Sequence, residues 1–224
     1  KTFGVLWAVL FYCSILPHIY FKSGIIDPLF NYFIFLSIYF MALTLTKNAD
    51  KLNRFALYSG LFSGLSIVTK GPVGFLLLGL TLIVYLIIKR FKIIPKLSHV
   101  ALFLVGLVSI VLGWVLLEYF QNGPDMLLKF IEYQVELFNT PVAGHAQPFY
   151  YHFVVVFIGC FPISILALPS FRTNTEDSNI NLKLWMICIF WVVIILFSLV
   201  STKIIHYSSM TCIPLSFLAA YTLY

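Results

Sequence analysis

Apolar runs of membrane-spanning length recur along this chain, with only short polar connections between most of them. They fall at residues 2–20, 29–46, 55–69, 73–88, 98–119, 150–170 and 184–200, and an eighth begins near residue 208. Crossing the hydrocarbon of a bilayer takes about 20 mostly apolar residues. In that medium every backbone N–H and C=O must be paired within the chain, which runs of this kind achieve as helices. Composition excludes a soluble domain: 61% of the residues are hydrophobic and 10% are charged, against roughly 25% charged in soluble proteins. The expected fold is all-α, a polytopic transmembrane helix bundle of about seven to eight spans forming a single domain over residues 1–224. In the short run 55–69, Gly60 and Gly64 stand four apart, a spacing that suits close helix packing. The chain starts and ends inside apolar runs, at Lys1 and Tyr224, as expected of a fragment of a longer protein, and no signal-peptide pattern is visible.

The connections alternate in charge. Lys1, Lys47, Lys51, Arg54, Lys89, Arg90, Lys92, Lys96, Arg172 and Lys183 fall on one side, and Lys22, Lys70, Lys129 and Lys203 on the other. The richer set belongs in the cytoplasm by the positive-inside rule. The net charge of +6 therefore reports orientation, and no nucleic-acid partner is expected. Cys13, Cys160, Cys188 and Cys212 all lie in apolar runs without metal-ligand spacing, so they read as small buried hydrophobes. In the long outer connection, Leu127, Phe130, Ile131, Val135 and Phe138 share one helical face, and Asp125, Lys129, Glu132 and Glu136 the other. This predicts an amphipathic helix on the outer membrane surface over about 124–138.

Ionisable groups at membrane depth are costly and default to functional candidates. The topology gathers four clusters on the outer side. Asp27, before Pro28, is either a carboxylate for a metal, a hydroxyl or a catalytic group, or a helix N-cap. Lys70, in Thr69-Lys70-Gly71-Pro72 with Gly74 after it, either clamps a phosphate while the glycines let backbone approach a ligand, or snorkels at a helix end. In the stretch GHAQPFYYH, His145 could ligate a metal or move a proton, and Tyr150 and Tyr151 could donate to a phosphate or stack on a sugar. An interfacial aromatic belt accounts for Phe149 and Tyr151 equally well, and His152 reads as structural. In STKIIHY, Lys203 and Tyr207 are four apart and share a face if the helix continues. Together they could grip a phosphate, with His206 beside them, or they simply cap a span. Polar groups above an apolar body suit a substrate with a phosphate head and a long lipid tail.

At these clusters the chain resembles membrane glycosyltransferases of the GT-C type that use a polyprenyl-phosphate sugar donor. The bacterial lipid A aminoarabinose transferases and the protein O-mannosyltransferases are the nearest in pattern. The matching pieces are IIDPLFNYFIFLSIYF, GLSIVTKGPVGFLL, GHAQPFYYHFVVVFIGCFP and STKIIHYSSMTCIP, in family order over nearly the whole chain. The resemblance implies transfer of a sugar from a polyprenyl phosphate to a lipid or protein acceptor, with inversion at the anomeric centre. The setting would be the periplasmic face of a multi-pass protein of the cell inner membrane. It places Asp27 at the family's second acidic position and His145 at the histidine that helps hold a divalent metal. Tyr207 matches the tyrosine that contacts the donor phosphate, and Lys70 and Lys203 match recurrent lysines. On this reading Asp27 and Lys70 are catalytic, and Lys203, Tyr207, Tyr150 and His206 bind the donor phosphate. Two departures stand out. The family's principal catalytic aspartate belongs to a first outer loop before Lys1, and no phosphate-binding arginine is evident in VELFNTPVAGH. The fragment alone is therefore expected to be inactive. A transporter or flippase for a lipid-linked anion would instead need charges near the midplane and broken helices, often with repeated halves. A membrane scaffold would need no polar cluster.

Overall fold

The structure, a computed structural model, describes residues 1–45, 52–125, 128–132, 147–172, 181–200 and 203–224. All regular elements among them are helical, as the apolar runs require. In chain order they are α1 (Thr2–Tyr12), α2 (Ile15–Lys22), α3 (Asp27–Thr44), α4 (Leu52–Lys70), α5 (Val73–Ile88), α6 (Leu97–Asn122), α7 (Tyr151–Gly159) and α8 (Ile163–Leu166). A 3-10 turn follows at Leu168–Phe171, then α9 (Leu182–Leu199), a 3-10 helix at Ile205–Thr211 and α10 (Cys212–Leu223). By length and apolarity α3, α6 and α9 can each cross a membrane, and the total rises to five if each of two bent pairs counts as one span. The helix α5 is apolar but shorter.

The two bent pairs correct the straight spans read from the sequence at 2–20 and 150–170. Helices α1 and α2 meet at 70°, and α7 and the α8 region at 104°. Proline explains both. In a continuous helix the ring of Pro17 would run into the carbonyl of Cys13, and that of Pro162 into the carbonyl of Ile158. The chain breaks one turn earlier in the first case: Ser14 is extended, with ψ 145°, and its hydroxyl turns back to the Leu10 carbonyl at 2.7 Å.

Helix α9 runs through the centre of the bundle and packs on α5, α7 and α10. Its Trp185 stacks on Tyr85 of α5 at 4.2 Å between ring centroids, and Asn181 caps its start by accepting from the Leu184 N–H at 3.1 Å. Helix α4 is held between α3 and α6. The Gly60–Gly64 pair forms the close contact that its spacing predicts. A Cβ at Gly60 would overlap the Phe103 carbonyl, and one at Gly106 of α6 would overlap the Leu57 carbonyl. Most of the predicted amphipathic segment lies outside the described residues. Within 128–132 the chain is helical, Phe130 packs edge-on against Trp114 of α6 at 5.2 Å, and Leu128 and Ile131 are exposed.

Candidate functional site

The start of α3, the end of α4 and the 3-10 helix Ile205–Thr211 meet at one corner of the bundle. Asp27 is the first residue of α3 and Lys70 the last of α4. The Lys70 ammonium donates to Asp27 Oδ1 at 2.6 Å, with the two side chains 28% and 6% exposed. Each charge sits at the helix end whose dipole favours it, the carboxylate at an N-terminus and the ammonium at a C-terminus. The N-cap of α3 is Ile26, so Asp27 stands one residue inside the helix and not at the cap position its sequence allowed. Gly71 directly after Lys70 has φ +95°, a left-handed conformation that glycine adopts without strain, and the chain there turns at once into α5.

The same ammonium lies 5.8 Å from the ring centroids of Phe30 and Tyr207, within cation–π range. Tyr207 also packs on Phe197 of α9 at 5.4 Å and on the neighbouring His206 ring at 5.2 Å. His206 is half-buried, and its pKa is lowered from the ordinary 6.5. Burial is the first cause; the Asp27 carboxylate opposes it and the Lys70 ammonium adds to it. The imidazole is thus held towards its neutral form beside a charged pair.

The expected helical turn between Lys203 and Tyr207 does not form. Ile204 is extended, with φ −112° and ψ 138°, and the 3-10 helix starts after it. Lys203 is buried at 7% exposure and donates to the Val200 carbonyl at 2.9 Å. Among the described residues no carboxylate pairs with it. Gly74 is not open to a ligand: a Cβ there would meet Ser66 and Phe30, so its small size serves packing of α5 on α4 and α3. Tyr150 is exposed at the start of α7. His152 is fully buried, and among the described residues neither of its ring nitrogens has a hydrogen-bond partner. His145 lies outside the described residues. Among those residues no group of three or more His, Cys, Asp or Glu converges to hold a metal ion.

Two side chains for which the sequence suggested no role hold the 3-10 helix in place. The Tyr20 hydroxyl of α2 donates to the Ile205 carbonyl at 3.3 Å. The Asn31 amide of α3 donates to Ser209 Oγ at 2.8 Å, both groups being buried. Asn31 had a signal, being a polar residue inside an apolar span one turn after Asp27. Tyr20 had none to separate it from an aromatic belt. Next to this corner, α1, α2, α3 and α10 line an open apolar cavity of about 590 Å³ whose walls include Trp7, Phe11, Tyr20, Pro28 and Phe35. Pro28 follows Asp27 directly, so the cavity reaches the start of α3 where the ion pair sits.

The fold is similar to that of ArnT. The structure matches ArnT from Cupriavidus metallidurans bound to undecaprenyl phosphate with a TM-score of 0.80, over 99% of this chain and 40% of that one, at 19% identity. The apo form of the same protein matches with a TM-score of 0.77, over 97% and 39%, also at 19% identity. In sequence, the chain is 24% identical over 219 residues to the undecaprenyl phosphate-alpha-4-amino-4-deoxy-L-arabinose arabinosyl transferase of Wigglesworthia glossinidia brevipalpis. That match covers 95% of this chain and 38% of the transferase. An uncharacterized protein of Aquifex aeolicus (strain VF5) is 27% identical over 176 residues, 78% of this chain and 34% of that protein. The chain thus spans well under half the length of the relatives it matches. No family profile matches it.

Proposed function

We propose that this chain forms the donor-phosphate side of a membrane glycosyltransferase. The whole protein transfers a sugar from a polyprenyl phosphate to a lipid or protein acceptor. The observation that carries this reading is the convergence of Lys70 and Tyr207 over the buried Asp27, next to an apolar cavity, in a chain with the ArnT fold. A departing lipid phosphate needs cationic and hydrogen-bond-donating groups fixed in advance. Lys70 supplies charge, held in place by Asp27. Tyr207 supplies a directional donor. Lys203 is the second cation: its partner is a neutral carbonyl, so its charge remains for an anion. His206 lies within the same group, and Tyr150 reaches the donor from the start of α7. In the single displacement proposed, the acceptor oxygen bonds to the anomeric carbon as the bond to the phosphate oxygen breaks, inverting that centre. The acceptor proton goes to a base outside this chain, so residues 1–224 alone are inactive.

The proposed setting is the bacterial inner membrane, with about seven to eight spans and the site on the periplasmic face, where the Lys/Arg asymmetry puts Lys70 and Lys203. Lipid A as the acceptor follows from the resemblance of the sequence to the lipid A aminoarabinose transferases. Metal assistance belongs to the reading only through His145, and no step above depends on it.

Transfer from undecaprenyl-phosphate sugar by the full-length protein in detergent tests the proposal. Lys70→Met and Lys203→Met each lower kcat/KM at least about tenfold, as loss of a charged contact implies, and Tyr207→Phe about two- to tenfold. Folded lysine variants with wild-type transfer would contradict it.

A further inference from the structure

We infer that Tyr20 and Asn31 are positioning residues, which clamp the 3-10 helix at its two ends and so hold His206 and Tyr207 against the Asp27–Lys70 pair. The inference rests on the reading of this corner as the donor site. A 3-10 helix has strained hydrogen bonds and seldom persists beyond three or four residues without outside support; this one runs over Ile205–Thr211. It follows an extended residue, Ile204, so no continuous helix from α9 holds it either. At its other end it runs directly into α10 at Cys212, and the rest of its support is external. Tyr20 binds the carbonyl of its first residue, Ile205, and Asn31 binds the side chain of Ser209 near its end. Both clamps come from α2 and α3, and the two residues that make them, Tyr20 and Asn31, flank Asp27 in the chain.

Helix α3 therefore makes two grips one turn apart. Asp27 takes Lys70, and Asn31, four residues on, takes Ser209. Tyr207 lies between, with its ring 5.8 Å from the Lys70 ammonium. An amide buried in an apolar helix is costly unless paired. With Ser209 as its partner, Asn31 ties the register of the 3-10 helix to α3, which also fixes the ion pair. The charged groups facing His206 are Asp27 and Lys70, so its titration reports whether the segment is seated.

The test uses the full-length protein in detergent, with two readouts. One is the pH midpoint of His206 modification by diethyl pyrocarbonate, followed on the peptide by mass spectrometry. The other is transfer from undecaprenyl-phosphate sugar. Asn31→Leu and Ser209→Ala should each raise the His206 midpoint towards its ordinary value and lower kcat about tenfold, with KM changed less than twofold. The double variant should be no worse than the poorer single one, since both remove the same bond. Ser209→Thr, which keeps the hydroxyl, should behave as wild type, and Tyr20→Phe should act in the same direction by a smaller factor. An unchanged His206 midpoint in folded Asn31→Leu overturns the inference. A shifted midpoint with unchanged transfer overturns it too, because the segment would then be held without serving the site. If Asn31→Leu does not fold, Ser209→Ala and Tyr20→Phe decide by the same criteria. Absence of transfer in the wild type counts against the transferase reading alone, and the His206 midpoint then still decides whether the clamp exists.

Discussion

Asp27 and Lys70 show how a charge becomes tolerable at the edge of an apolar bundle. Each is paired, each stands at the favourable end of a helix dipole, and Lys70 in addition faces two aromatic rings. His206 beside them stays towards neutrality because burial outweighs the attraction of Asp27 for its protonated form. This has a consequence for stability. The native pKa lies below the ordinary 6.5, so on acidification the unfolded chain takes up this proton first. The contribution of His206 is complete above pH 6.5 and declines as the pH falls from there to its native value. His206→Gln should therefore flatten the fall in melting temperature of the full-length protein between about pH 7 and 5. An identical fall in wild type and variant would show that His206 is not held neutral. The individual candidates were legible because a charge or imidazole in an apolar context is rare. Their partners were not. Nothing in a sequence links Asp27 to Lys70, which is 43 positions away, in preference to a cap on its own helix.

The elements explain where the pattern misled. An apolar run has the same composition whether it is straight or broken, so length alone joined α1 to α2 and α7 to α8. Pro17 and Pro162 carried the signal for both breaks. The interruption after α9 was marked by composition and not by a helix breaker: residues 200–213 contain no glycine or proline, but STKIIHYSSMT is mostly polar, and Ile204 within it is extended. For that reason Lys203 and Tyr207 do not share a helical face, and Tyr207 instead meets Lys70. Glycine gave the opposite result. The four-residue spacing of Gly60 and Gly64 pointed to a tight helix contact, and α4 and α6 make it. Gly106→Leu should force these helices apart and cost about 1–3 kcal/mol or more of stability. Gly79→Ala in α5, where a Cβ meets nothing within 4 Å, should be neutral or stabilising by up to about 1 kcal/mol. Thermal melting in detergent compares the two. Equal melting temperatures would contradict the α4–α6 contact.

At the scale of the molecule, the polar corner and the apolar cavity share the first turn of α3 on different faces: Asp27, Phe30 and Asn31 are buried in the bundle, and Pro28, Leu29 and Tyr32 line the cavity. Under the proposed function, the phosphate head of a lipid donor sits at Lys70 and Tyr207 and its isoprenoid chain leads away along apolar surface. The most direct measurement is binding of undecaprenyl phosphate to the full-length protein, read by native mass spectrometry or by lipid-dependent thermal shift. Wild type is compared with Lys70→Met and with Lys22→Met, whose lysine is exposed at the end of α2. The account predicts that Lys22→Met binds as wild type does and that Lys70→Met binds at least about tenfold more weakly, one charge-assisted contact having gone. Equal binding by wild type and a folded Lys70→Met protein would contradict it.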